Sequence, residues 1–341
     1  MRKEYVLLIL IVAGFGAFTQ HQLPRIDTLT NGTNTSLRGL SVVSDNVLWV
    51  SGSNGTVGKS VNGGKDWKWL RIKRFENADF RDIEAFDATT AVVMAVGEPA
   101  HILRTTDGGE NWKVVYENKT KGIFLDAMEF WNSESGIVVG DPLDGKIFIA
   151  RTFDGGYSWR AIPENYRPKA DEGEALFAAS GTAMRALDRD EAVFVTGGKT
   201  SHIYIRDQKI KLPVIQGKNS TGAFSVAVWD NNKRNGGNKM IVVGGDYEAD
   251  SSSTGNCFYS NNRGQSWAAA TRPPRGYKSC VAYINEKELL ACGTSGVDYS
   301  TDGGATWSQV IKEGYHVCIK AKDGKTVYLA GNNGRVAKLV K

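Results

Sequence analysis

Ser60–Trp67 (SVNGGKDW), Thr105–Trp112 (TTDGGENW), Thr152–Trp159 (TFDGGYSW), Ser260–Trp267 (SNNRGQSW) and Ser300–Trp307 (STDGGATW) are copies of one octet. Each reads Ser or Thr, any residue, Asp or Asn, any residue, Gly, two residues, Trp. Every fixed position has a turn-forming reason. The Asx side chain (Asn62, Asp107, Asp154, Asn262, Asp302) accepts from nearby backbone amides, and Gly supplies a left-handed conformation. The indole (Trp67, Trp112, Trp159, Trp267, Trp307) anchors the turn in apolar packing. The recurrence of the octet along the chain predicts a repeated β-hairpin turn and a repeat architecture.

A second period runs alongside the first. Strand-like apolar runs close on Gly52, Gly97, Gly140, Gly197, Gly244, Gly293 and Gly331, roughly 45 residues apart. Each is preceded by one strand-like segment and followed by two more, with the octet between the last two. In the second unit these are Phe80–Phe86, Ala91–Gly97, Ile102–Thr105 and Trp112–Tyr116. Four short strands per unit, seven times over, predict an all-β, seven-bladed β-propeller of WD40/YVTN type with few helices. The seventh unit has three strands, Arg335–Val340 being the last. The stretch Pro24–Leu29 has strand character and no partner of its own, so it is expected to supply the missing strand and close the ring. Unit four (Ala183–Leu212) lacks the octet; His202–Arg206 and Lys209–Leu212 stand in its place.

The N-terminus differs from the rest. Met1-Arg2-Lys3 precedes an apolar run from Tyr5 to Phe18 containing Gly14, Gly16 and Ala17. This is the pattern of a secretory signal peptide over residues 1–20, short for a membrane span. A mature chain starting around residues 18–22 is expected, exported to the periplasm or beyond the cell, with no membrane span after cleavage. Residues 21–341 are expected to form one propeller domain, a monomer.

The 42 basic and 37 acidic residues are interspersed, without a long basic run, so nucleic acid is not an expected partner. Cys257, Cys280, Cys292 and Cys318 lack metal-ligand spacing, and no metal or cofactor is expected. Cys280 and Cys292 flank a hairpin turn; a cross-strand disulfide and a pair of buried small hydrophobes both fit that position.

The repeat resembles that of the photosystem II stability/assembly factor family, within the wider group of Asp-box, or BNR-repeat, propellers. The resemblance is carried by FLDAMEFWNSESGIVVGDPLDGKIFIARTFDGGYSW (Phe124–Trp159) and SLRGLSVVSDNVLWVSGSNGTVGKSVNGGKDW (Ser36–Trp67). It implies the propeller fold, box turns at the blade periphery, and a role in binding or assembly. The departures are the missing octet in unit four, Asn at positions 62 and 262, and long inserts in units four and five. The same box decorates sialidases and sortilin-type receptors, so a glycoside hydrolase is the alternative. It would draw arginines from Arg38, Arg81 and Arg185, a phenol from Tyr315 and a carboxylate from Glu313.

Aligning the innermost strands places Arg38, Arg81, Lys278 and His316 at one equivalent position in four units that are neighbours in a closed ring. A basic arc at the funnel mouth would attract a carboxylate, a phosphate, an acidic peptide or an anionic glycan. The loops of units two to five on the same face carry Glu98, Asp141, Asp144, Asp171, Glu172, Glu174, Asp246, Glu248 and Asp250, giving a bipolar surface. The partner is expected to be a protein or an anionic ligand, bound by a scaffold.

Overall fold

The computed structural model describes residues 23–188, 190–230 and 236–341. The leader reading over residues 1–20 lies outside the described residues. Among those described, no helix is long and apolar enough to cross a membrane.

Seven antiparallel sheets stand around one axis, as the repeat predicted; blades one, two, three and six are four consecutive strands each, the sheet of blade five also takes in the short strands Glu174–Ala175 and Gly197–Gly198, and blade seven takes its outer strand from residues 25–30. Blade two shows the unit: Phe80–Ala85, Ala91–Ala95, Ala100–Thr105 and Lys113–Asn118, running from the axis outwards. The three inner strands are largely buried, whereas the outermost is largely exposed or half-buried. This gradient follows from packing blade against blade, with layers of Val, Ile, Leu and aromatic side chains between them. Three short 3-10 turns are the helical content of the described residues.

The recurring glycine has a steric cause. A Cβ at Gly52, Gly140, Gly244 or Gly293 would sit 2.2, 2.2, 1.9 or 2.2 Å from the carbonyl oxygen of Ser36, Phe124, Gly222 or Tyr277. At the top of these blades the second strand passes directly against the entry to the first, and any side chain would push them apart.

The ring closes as expected. Arg25–Thr30 pairs antiparallel with Val336–Val340, from Arg25 opposite Val340 to Thr30 opposite Val336, as the outer strand of blade seven.

All five octets are turns between third and fourth strands, at the periphery. In the second, Thr105 Oγ1 donates to Asp107 Oδ1 (2.9 Å) and accepts from Gly109 N (3.1 Å). Asn111 N donates to Asp107 Oδ1 (3.0 Å), and Trp112 Nε1 to the Gly109 carbonyl (3.1 Å). The Asn111 amide and side chain hold the Asp107 carboxyl down to about 2. Asn62 and Asn262 accept from Asp66 N and Ser266 N in the same way (2.9 and 3.0 Å), so Asn replaces Asp without loss of the turn. The Ser, Thr and Asx side chains of the boxes spend their hydrogen bonds on their own turn, as do the indoles of Trp67, Trp112 and Trp307, which is a structural role.

Blade four closes its outer hairpin differently. Ile205 pairs with Gln208 across Arg206 and Asp207, and Arg206 takes a left-handed φ of 57°. Its inner strand is also irregular. Glu174–Ala175 pairs with Gly197–Gly198, and Met184–Ala186 pairs with Ala192, Val193 and Phe194. Residues 176–183 therefore stand opposite only Val195 and Thr196, and the excess chain loops into the axial channel. Glu174 anchors its root, accepting from Tyr204 Oη (2.9 Å) and Thr196 Oγ1 (2.5 Å) and pairing with Lys209 Nζ (2.8 Å).

Candidate functional site

The innermost strands of blades one, two, three and five each carry a β-bulge near their start, at Arg38, Arg81, Asp126 and Phe224. A bulge leaves one residue unpaired and re-aims its side chain, here towards the axis. All four line a cavity of about 560 Å³ at the funnel mouth, together with His316 of blade seven. The bulge is what turns a core strand into a site.

Lys278 does not join them, which corrects the expected arc. Its amide donates to the Gly244 carbonyl (2.9 Å), as the Leu37 amide does to Gly331 (3.1 Å), so Lys278 is the counterpart of Leu37 and Ser279 that of Arg38. A one-residue slip sends a strand side chain to the opposite face. Lys278 is fully buried inside its blade, its ammonium 2.9 Å from Asp298 Oδ2 and donating to Ser295 Oγ (2.8 Å) and the Gly296 carbonyl (3.1 Å).

His316 reaches the funnel but brings no charge. Its Nε2 lies 2.9 Å from Asn332 Oδ1 and 3.2 Å from Ser36 Oγ. Burial, and then the Arg38 charge, push its imidazole down to about 4. The unfolded chain, with its histidine near 6.5, therefore binds a proton between those values that the folded chain refuses. Stability should fall as pH drops from 6.5 to 4, by about 2–3 kcal/mol from this group, and be untouched above 6.5. Denaturant melts at pH 7 and 4.5 should show His316→Gln losing less stability than wild type by that amount.

The cationic centre is thus Arg38 and Arg81. Arg81 Nε pairs with Asp79 (2.7 Å), and Nη1 reaches the Ala178 carbonyl (3.5 Å). Arg38 Nη1 donates to the Ala179 carbonyl (3.2 Å) and has no carboxylate at ion-pair distance among the described residues. Burial and the neighbouring Arg81 charge pull the Arg38 guanidinium below its usual value. Both arginines therefore rest on the backbone of the excursion, residues 176–183. Below them Ser180 Oγ donates to the Ser279 carbonyl (2.7 Å), and Thr182 Oγ1 meets Ser225 Oγ at 2.7 Å. Gly181, at φ 69°, lies against the Asp82 carboxyl; a Cβ there would fall 2.5 Å from it. The excursion is the floor of the funnel.

Asp82 is not the arginines' counter-ion. Its buried carboxyl accepts from Ile83 N (2.8 Å) and Met128 N (2.7 Å), and burial raises it well above the usual carboxylate range. It belongs to a second cavity of about 300 Å³ beyond the excursion, with Glu84, Glu129, Arg185 and Lys322. There Arg185 pairs with Glu129 (3.3 Å) and Lys322 with Glu84. The arginines of the hydrolase alternative are thus divided between two cavities, and Tyr315 is buried with Arg335 stacked on its ring, lining neither. The structure does not assemble that constellation.

Of the acidic loop residues, Asp141 and Asp250 line the funnel cavity. Glu98 stays on the surface and accepts from Gly122 N. Asp246 is buried, caps a 3-10 turn through Glu248 N (3.0 Å) and pairs with Lys218 (3.2 Å), so it shapes a loop and does not face the cavity. Glu174 and Asp171 are absorbed by Lys209. Unforeseen were Asp126, which occupies in FLDAMEF the place Arg81 has in FRDI, and an aromatic wall. Phe177 of the excursion stacks on Phe224 (3.8 Å, 6°), and Tyr277 meets Phe224 edge-on (4.8 Å, 86°).

All four cysteines are free thiols. Cys280 and Cys292 are register partners, and Cys280 Sγ lies 3.7 Å from Cys318 Sγ in the next blade. The three sulfurs form a buried cluster on the core side of the strands, remote from the funnel lining.

Residues 26–123 match the family model described as Photosynthesis system II assembly factor YCF48, and residues 298–309 match the BNR/Asp-box repeat. Among solved structures the chain is similar to YCF48 bound to D1 peptide, at 17% identity over 94% of this chain and 98% of that one, TM-score 0.63. It is similar to YCF48 from Cyanidioschyzon merolae at 17% identity over 93% and 99%, TM-score 0.65. The WD40 β-propeller domain of Doa1 is similar at 11% identity over 93% and 97%, TM-score 0.62. No curated protein matches the chain. The likeness to these structures is one of fold, and the chain is a seven-bladed propeller whose first two blades match the model of the YCF48 assembly-factor family.

Proposed function

We propose that this protein is an exported binding and assembly scaffold whose funnel receives an acidic segment of a protein partner. The observation that carries the reading is Arg38: a guanidinium at the mouth of an open cavity, beside a second one, with no carboxylate at ion-pair distance among the described residues. Two cations side by side at the opening favour an anionic group next to them, with Asp141 and Asp250 elsewhere on the same lining. The relative solved as YCF48 bound to D1 peptide supports a peptide-binding role for this fold. Export rests on the leader composition of residues 1–20. Arg38 and Arg81 line one cavity and Arg185 another, so the arginine set of the hydrolase alternative is not brought together among the described residues.

Reversal of both arginines, Arg38→Glu with Arg81→Glu, should weaken capture of a fluorescent peptide bearing three glutamates by about tenfold or more at low salt. The loss should come chiefly through the on-rate and shrink as ionic strength rises. The melting temperature should stay nearly unchanged, since neither guanidinium anchors a blade. Capture that survives the double reversal would remove the funnel from the function.

A further inference from the structure

Asp126 is the least explained group in the funnel. It is fully buried, yet neither carboxyl oxygen has a hydrogen-bond partner among the described residues. The Ala178 and Asp141 amides face it without closing a well-formed bond. An unpaired buried carboxyl is costly, and a fold retains one where something else completes it. Beside it stands Asp141, which accepts from the Leu176 amide (2.9 Å) at the root of the excursion. Both border the cavity, and the stacked Phe177 and Phe224 wall it.

The arginines make no ion pair with these two carboxyls among the described residues, although the Arg81 charge is felt at Asp126. Arg81 is engaged by Asp79, Arg38 by the Ala179 carbonyl, and neither comes within ion-pair distance of Asp126 or Asp141. Two carboxyls in one low-dielectric place cannot both ionise without a cation. Burial first, and then the Asp141 charge, raise Asp126 well above the usual range against the opposing Arg81 charge, and burial lifts Asp141 to about 6. Among groups that would satisfy the pair, a primary ammonium supplies one positive charge and several donors. Aromatic faces nearby favour a cation over a neutral donor.

We propose that Asp126 and Asp141 form a receptor for a primary ammonium group, so that the funnel takes a peptide carrying a lysine together with its acidic residue. The inference rests on the funnel being the partner site and adds what the partner must contain. Binding expels the proton that burial keeps on Asp126 at rest, so affinity for a lysine peptide rises with pH, and it falls further below about 6, where Asp141 also takes up a proton. The other charges facing the pair are Arg38, Arg81 and Asp79 on one side and Asp250 on the other; His316 is neutral in this range.

The test uses the propeller and two matched sets of acetylated hexapeptides. Each holds one glutamate and, at zero to three alanines' distance, either lysine or norleucine. Calorimetry in two buffers of different ionisation enthalpy counts the protons released. Wild type should prefer the best lysine peptide by about tenfold at pH 7.5 and release a proton on binding it. In Asp126→Asn the preference and the proton release should both vanish, while the norleucine peptide binds as before; a thermal melt checks folding. Equal affinity for the two sets in wild type, with binding still dependent on Arg38 and Arg81, would overturn the ammonium receptor and leave the scaffold reading intact. Failure of both sets to bind would overturn both. Saturation by calcium chloride that Asp126→Asn abolishes would assign the pair to a metal ion and overturn the ammonium.

Discussion

Lys278→Ala should cost the propeller about 3–5 kcal/mol in denaturant unfolding, although the residue touches no ligand site. The lysine side chain is fully buried and Asp298 nearly so, with their charged atoms 2.9 Å apart. Truncation leaves the Asp298 carboxylate in a dry interior with only the Arg275 amide (3.1 Å) to solvate it. It also opens a void between the strands of blade six. Lys278→Met with Asp298→Asn removes both charges at nearly constant volume and should recover most of the loss. A single variant within 1 kcal/mol of wild type would contradict the burial of this pair. The same double variant should also leave capture of the acidic peptide unchanged, which separates this lysine from the two arginines.

Trp159→Ala should be comparably severe, at about 3–5 kcal/mol, because it deletes a large side chain from a layer between blades. Trp159 is 6% exposed and meets Phe130 edge-on (5.7 Å, 87°), and Phe130 in turn meets Phe86 of blade two (5.0 Å, 87°). Trp112 is only half-buried, so its truncation should cost less. Asp154 accepts from Thr152 Oγ1, Ser158 N and Ser158 Oγ, all within the turn, and its replacement by Ala should not alter peptide capture. A melting curve for Trp159→Ala overlaying wild type would show that the indole is ornamental to the blade.

The box turns were legible because their physics is local. Ser or Thr, Asx, Gly and Trp bond to atoms a few residues away, so spacing alone carries the geometry. Ring closure was legible for a similar reason: an unpaired strand at one end and a three-stranded unit at the other leave one economical solution. The funnel was only half legible. Arg38 and Arg81 were placed because a bulge of the same length begins both strands. Bulged positions, however, carry Arg, Asp or Phe, and no residue type marks them. Counting along the strand of blade six therefore set Lys278 one place out of register, and the pleat turned that into the opposite face. The excursion was invisible for a different reason. Leu176–Ala183 (LFAASGTA) has neither period two nor period 3.6, and its bonds run to Ser225 and Ser279, far off in the chain.

The outer strand of blade seven sets the order in which the molecule can be finished. Residues 25–30 emerge from the ribosome early, but their partner is residues 336–340. At about 5–20 residues per second, the first strand waits about 15–60 s for its complement. During that interval six blades can stack by local pairing, while the seventh seam stays open and one edge of the nascent ring is unsatisfied. The waiting strand is itself equipped for exposure: Arg25 and Asp27 alternate along it and pair with each other (2.9 Å). Charges on alternate positions make a poor template for another chain, so the segment that must idle longest is also among the least able to pair with the wrong neighbour.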